Sequence, residues 1–205
     1  MDVKSQVEEE ILEAAKLVFQ EKGYRNTQMG DIAKLVGINR SNLHYYFRTK
    51  ERLFQEVFSP IVELLVPKVC NIIDKDVTIY EKISKIIDEY ILIFKENPYL
   101  PRFIVEESRR DLPHLMNAMR SLGLDSFFDG IEKMLRTEIE RGQLKQKSIS
   151  VFCTSFYTMI TYPFVSKDII YPLILNKDAK AFDSYLKEWK QIMLYSLFES
   201  KVAWS

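Results

Sequence analysis

The stretch TQMGDIAKLVGINRSNLHYYFRTK, Thr27 to Lys50, decides the fold. Thr27 is a candidate N-cap, and Met29, Ile32, Ala33 and Val36 follow at helical spacing, so a short helix can bury one face. Gly37 is placed to end it, since glycine enters a left-handed conformation without a Cβ clash. Asn39 can cap a second short helix in which Leu43 and Phe47 point inward, one turn apart. Arg40, Ser41, Asn42, His44, Tyr45 and Tyr46 mostly lie off that face. A surface helix with hydrogen-bond donors at its start and aromatic rims beyond suits a major groove.

A helical hairpin that merely packs would show the same periodicity, and charge separates the two readings. From Lys22 to Arg52 there are seven basic residues (Lys22, Arg25, Lys34, Arg40, Arg48, Lys50, Arg52) against the acids Asp31 and Glu51, in a chain of zero formal net charge. A local excess of that size is the footprint expected of a phosphate-binding surface.

The motif G-Y-x-x-T-x-M-x-D-I-A-x-x-V-G-I-x-x-x-x-L-x-Y-Y-F-x-T-K-E-x-L-F, from Gly23 to Phe54, closely resembles the DNA-binding domain of TetR/AcrR-type transcriptional repressors. The resemblance covers roughly the first quarter of the chain. It implies an all-α protein with a three-helix helix-turn-helix DNA-binding domain over residues 1–52 and a helical ligand-binding and dimerisation domain over 53–205. It further implies a homodimeric regulator, a repressor by the family's default, on a palindromic double-stranded DNA operator, released by a small effector. Carried over position by position, it puts Thr27 on a phosphate, Arg40, Ser41, Asn42 and His44 on base edges, and Tyr45 and Tyr46 on phosphate or a thymine methyl. Asn39 counts with these contacts, and Lys50 resembles the family's lysine phosphate contact. The sequence departs from the commonest pattern at Ser41, where glycine is usual, and at His44, where tyrosine is.

The composition, 47% hydrophobic and 28% charged with 6 Gly and 7 Pro in 205 residues, predicts a globular protein of long helices with few turns. Cys70 and Cys153 sit in apolar runs and read as buried, reduced thiols. No metal motif, cofactor loop or catalytic pair stands out, with His44 and His114 the only histidines. The start of the chain lacks a signal-peptide core, and no apolar run reaches the ~20 residues of a membrane span, so a cytoplasmic location is expected.

Along the chain, a first helix is expected from Ser5 to Lys22, stopped by Gly23. Lys50 should open a connector helix that Pro60 kinks or breaks, a candidate hinge, with Pro67 and residues 71–77 as the looser join to the body. Thr78 and Glu81 form a capping-box pattern before a helix that ends near Asn97 and Pro98. Pro101 should open a shorter helix to Arg110, Leu112-Pro113 a connector, and Leu122 to Ile139 a long amphipathic helix. Residues 148–164 are apolar nearly all round, which fits burial in the core or against a second subunit, and the last helix carries Phe182 to Leu197. An apolar or aromatic effector would be met by aromatic residues of the body, with Tyr90, Phe94, Phe103, Phe127, Phe156 and Tyr157 as candidates.

Overall fold

A computed structural model describes residues 3–175 and 178–198; the outermost ends of both expected domains lie outside the described residues. It contains α1 (Val3–Asn26), α2 (Met29–Val36), α3 (Arg40–Tyr46), α4 (Lys50–Ile73), α5 (Ile79–Glu96), α6 (Leu100–Arg110), α7 (Leu112–Ser121), α8 (Leu124–Glu140), α9 (Ile149–Val165), α10 (Lys167–Leu173) and α11 (Ala179–Leu197). The one extended pairing among the described residues is an isolated bridge between Leu144 and Phe198. The all-α expectation therefore holds.

The chain divides into two compact units, Met1–Leu64 with Phe103–Leu122, and Leu65–Arg102 with Gly123–Ser205. These units do not coincide with the division expected after Arg52. Helices α4 and α6 each contribute residues to both, and α7 groups with the N-terminal helices.

In the first unit α1 packs on α2 and α2 on α3. Ile11, Ala15, Phe19, Ile32, Leu43 and Leu53 are wholly buried. Around them runs an aromatic cluster centred on Phe54. Its ring meets Phe19 edge-on at 5.2 Å, Tyr24 at 5.2 Å, Phe58 at 4.5 Å and Phe103 at 6.0 Å. Aromatic rings favour such offset and edge-on approaches because their faces are negative and their edges positive.

In the second unit α9 packs on α5, α8, α10 and α11. Ile87, Ile93, Leu135, Met193 and Leu197 form its buried centre. The Trp189 indole donates to the Met159 carbonyl at 2.8 Å, fixing α11 to α9. The Thr78 cap is formed as expected: its hydroxyl accepts from the Glu81 amide at 3.2 Å, and the Glu81 carboxylate accepts from the Thr78 amide at 3.0 Å.

Four local expectations need correction. Helix α4 runs without interruption through Pro60 and Pro67, so Pro67 does not mark a join. Both prolines lie on the exposed side, where water can meet the carbonyl that each leaves without a donor. The expected connector at Leu112-Pro113 is instead the first turn of α7. Asp111 caps that turn by accepting from the His114 amide at 3.2 Å, and proline is pre-organised for a first turn. After Pro163, which α9 carries within it, an unanticipated short helix, α10, forms. Cys153 is exposed rather than buried, and Cys70 is half-buried; both are free thiols.

Phe54→Ala should remove the centre of the aromatic cluster and destabilise the protein by ~3–5 kcal/mol, read from a urea unfolding midpoint. A loss below ~1 kcal/mol would show that the cluster can collapse around the gap.

Candidate nucleic-acid interface

The helix-turn-helix forms over the stretch that carries the motif. Gly37 adopts φ 80° and ψ 20°, the left-handed stop that ends α2, and its amide donates to the Lys34 carbonyl at 3.3 Å. Asn39 then caps α3: its side-chain oxygen accepts from the Asn42 amide at 2.7 Å. Leu43 is wholly buried and Phe47 is 5% exposed, which fixes the rotation of α3. Arg40, Ser41, Asn42 and Tyr45 are exposed as a result, Tyr45 by 73%, while His44 and Tyr46 are half-buried.

Two of these side chains are organised by each other. Arg40 Nε donates to His44 Nε2 at 3.3 Å, and His44 Nδ1 lies 3.2 Å from the Arg48 carbonyl. With Nε2 accepting from Arg40, the tautomer that suits both contacts is the one in which Nδ1 donates to the Arg48 carbonyl. His44 thus steadies Arg40 through Nε, and the guanidinium's terminal fork is the part suited to guanine O6 and N7. Tyr45 and Tyr46 meet edge-on at 5.3 Å beside them.

Both acids of the cationic stretch have internal partners. Asp31 sits 2.9 Å from Lys22, and that contact, more than its hydrogen bond from the Gln28 amide, lowers its carboxyl below the usual range. Glu51 lies 2.9 Å from His114 Nε2 and also takes a hydrogen bond from Tyr24. The exposed residues Arg25, Lys34, Arg40, Arg48 and Arg52 belong to the same stretch.

Thr27 and Lys50 require correction. Gln28, not Thr27, is the N-cap of α2, and its amide donates to the Asp31 carboxylate at 3.3 Å. Thr27 is 2% exposed, with its hydroxyl donating to the Gly23 carbonyl at 2.7 Å, so it is turned inward rather than toward a phosphate. The Lys50 ammonium donates to the carbonyls of Tyr24 at 2.8 Å and Thr27 at 2.9 Å, and sits 4.3 Å over the Tyr24 ring. Burial lowers its pKa, against an opposing pull from Glu51 and Glu107. The expected phosphate contact is instead an internal tie that gathers the carbonyls at the end of α1.

That tie is part of a polar node not apparent in the sequence. Gly23 holds φ 74°, breaking α1 locally. The following amide, of Tyr24, donates to the buried Glu107 carboxylate at 3.1 Å. A Cβ at position 23 would collide with that carboxylate and with Arg110. Tyr24 stacks on His114 at 3.5 Å. Burial, then Glu51, drive the Tyr24 hydroxyl pKa well above its usual value. Glu107, which from sequence offered itself as a polar anchor for an effector or as a solvated helix position, is instead 1% exposed and bonded to an amide 83 positions away.

In the second unit a chamber of about 310 Å³ lies among α5, α8 and α9. Of the six residues expected to meet an effector, Tyr90, Phe156 and Tyr157 line it. Phe94, Phe103 and Phe127 do not. Phe94 is buried against Tyr90 and Phe164, Phe127 is buried beside Phe128, and Phe103 stacks on Phe58 in the first unit.

The outward helix, its inward anchors and the cationic surround define a helix-turn-helix DNA-binding regulator. Residues 11–57 match the family of bacterial regulatory proteins described as the tetR family. The chain is 29% identical over 107 residues to the uncharacterized HTH-type transcriptional regulator YhgD of Bacillus subtilis (strain 168), a match covering 47% of this chain and 56% of that protein. It is 42% identical over 53 residues to the HTH-type transcriptional regulator QacR of Staphylococcus aureus (strain Mu50 / ATCC 700699), covering 26% of this chain and 28% of that one. The chain thus matches about half the length of the first relative and about a quarter of the second. Its fold is similar to that of the ketosteroid transcriptional regulator KstR2 of Mycobacterium tuberculosis, with a TM-score of 0.67 and 19% identity over 94% of this chain and 95% of that one. Residues 11–57 thus form a DNA-binding domain of the tetR family of bacterial regulatory proteins, on a chain whose fold is that of such regulators. Among the described residues no helix is long and apolar enough to cross a membrane, and no group of His, Cys, Asp or Glu is placed to hold a metal ion.

Lys50→Met keeps the aliphatic stem and removes the ammonium. It should cost ~1–3 kcal/mol in urea unfolding, the worth of hydrogen bonds from a charged donor. The slope of log affinity for DNA against log salt should stay as it was. A slope shallower by about one would return Lys50 to the phosphate backbone.

Proposed function

We propose that the protein is a homodimeric repressor that binds a palindromic operator through α3 and leaves it when a small apolar or aromatic effector occupies the second unit. The observation that carries the DNA reading is the rotation of α3. Leu43 and Phe47 are buried, while Arg40, Ser41 and Asn42 are exposed together at the helix start. Arg40, Ser41, Asn42 and His44 meet base edges. Tyr45 and Tyr46 meet phosphate or a thymine methyl, and Asn39 serves through the cap that orients them. Thr27 and Lys50 serve indirectly, by holding the turn between α1 and α2. A regulator of this kind acts in the cytoplasm, and nothing in the chemistry of its side chains calls for catalysis.

Pairing is supported by an apolar face on the last long helices. Val151 and Tyr162 on α9 are 53% and 57% exposed, and Ile192 and Tyr195 on α11 are 52% and 66% exposed. An apolar surface of that kind on packed helices is suited to a second copy. Two-fold pairing would set the two α3 helices one DNA turn apart, ~34–36 Å, to meet successive major grooves. An effector that prefers a dimer with a different spacing lowers operator affinity by that preference.

Arg40→Ala should cost ~1–3 kcal/mol on duplexes from upstream of its own gene and narrow the gap to random duplex, measured by fluorescence anisotropy. Equal losses on both duplexes would remove base reading from Arg40. Ile192→Glu should convert the dimer to monomer in sedimentation velocity and abolish tight operator binding. A variant that stays dimeric would remove α11 from the interface.

A further inference from the structure

The polarity of the chamber in the second unit restricts what can enter it. At about 310 Å³ it lies in the size range of small-molecule sites. It is not a sealed void: Phe128, Cys153 and Tyr157 among its lining residues are exposed, so it can be reached from solvent. Its walls are Ile, Leu, Met and Phe side chains, and no Asp, Glu, Lys, Arg or His lines it. The hydrogen-bonding groups on its surface are the Tyr90 and Tyr157 hydroxyls and the Cys153 thiol.

Those three groups are uncharged at neutral pH. Burial, then the neighbouring Tyr157, pushes Tyr90 up to about 12. Burial is the first cause of upward shifts at Tyr157 and Cys153 as well. A phenol and a thiol that keep their protons offer hydrogen bonds to an acceptor and no charge to a counter-ion. Glu132 is close enough to Cys153 to raise it further, but its carboxylate is taken by Arg136 at 2.7 Å. Neither sign of charge is therefore offered to an occupant. An ionised carboxylate, phosphate or ammonium would lose its water without a partner, a penalty that apolar contact does not offset.

We propose that this chamber binds an uncharged, mainly apolar small molecule bearing one hydrogen-bond acceptor, such as a hydroxyl, ketone or ester oxygen, which Tyr90 and Tyr157 meet. The exposed lining residues Phe128, Cys153 and Tyr157 flank the mouth, and Tyr90 is the less exposed donor. The regulatory consequence rests on the effector reading above, whereas the binding itself is a property of the free protein.

The test is calorimetric titration of the full chain, without DNA, with three ten-carbon probes: 1-decanol, decanoate and decylammonium. Decanol should bind at least about tenfold more tightly than either ion, reflecting the uncompensated charge. Tyr90→Phe should weaken decanol by about two- to tenfold, the worth of one hydrogen bond, and Ile131→Trp, which fills the chamber, should abolish binding while circular dichroism shows intact helices. An ion binding as tightly as decanol, no binding of decanol to the unmodified protein, or decanol binding that survives Ile131→Trp would each overturn the proposal. Decanol binding that leaves operator affinity unchanged would uphold the ligand class and refute release by an effector.

Discussion

One ammonium group holds the reading head in shape. Lys50, the first residue of α4, reaches back across the chain to the carbonyls of Tyr24 and Thr27. The end of a helix leaves carbonyls without partners, and a buried carbonyl without a donor is costly. Gly23 makes the arrangement feasible, because its positive φ turns the chain so that the next amide finds Glu107. From that turn, α2 sets out with Gln28 as its cap, and α3 follows with Leu43 and Phe47 beneath it. The outward presentation of Arg40 and its neighbours therefore depends on contacts gathered at the end of α1 rather than on α3 alone.

The polar and apolar parts of the first unit are interlocked. Tyr24 lies under the Lys50 ammonium, stacks on His114 and meets Phe54 edge-on. His114 in turn lies against Glu51, and Phe54 against Phe58 and Phe103. A shift of α6 or α7 would thus be felt at the end of α1 by way of Glu107 and His114, because packed cores rearrange in discrete steps rather than yield continuously. The second unit has a different character. Its chamber is bounded by side chains that bind through shape and neutral donors, so what it selects is set by desolvation rather than by charge pairing.

The local signals of the sequence were the legible ones. The stop at Gly37, the Asn39 cap, the inward pair Leu43 and Phe47, and the Thr78–Glu81 box each depend on residues within a few positions, and each is formed. The illegible features were those set by distant partners. Thr27 reads as a helix cap and Lys50 as a phosphate ligand until the fold brings them together at the end of α1. Proline misled in both directions. Pro60 and Pro67 were absorbed within α4, and Pro113 began a helix where a connector was expected, because a proline's effect depends on its place in the turn. Of the aromatic residues in the body, periodicity could not separate chamber wall from core: Tyr90 and Phe94 are one turn apart on α5, yet only Tyr90 lines the chamber.

The claim on which the account turns is that α3 reads base sequence as one of a two-fold pair. Repeated selection of binding sites from a pool of random-sequence duplexes tests it most directly. The account predicts enrichment of a palindrome whose half-site centres lie one helical turn apart, ~10–10.5 base pairs, or a multiple of it. A pool that stays random after selection, while the protein still retains duplex, would mean that the exposed helix holds DNA without reading it.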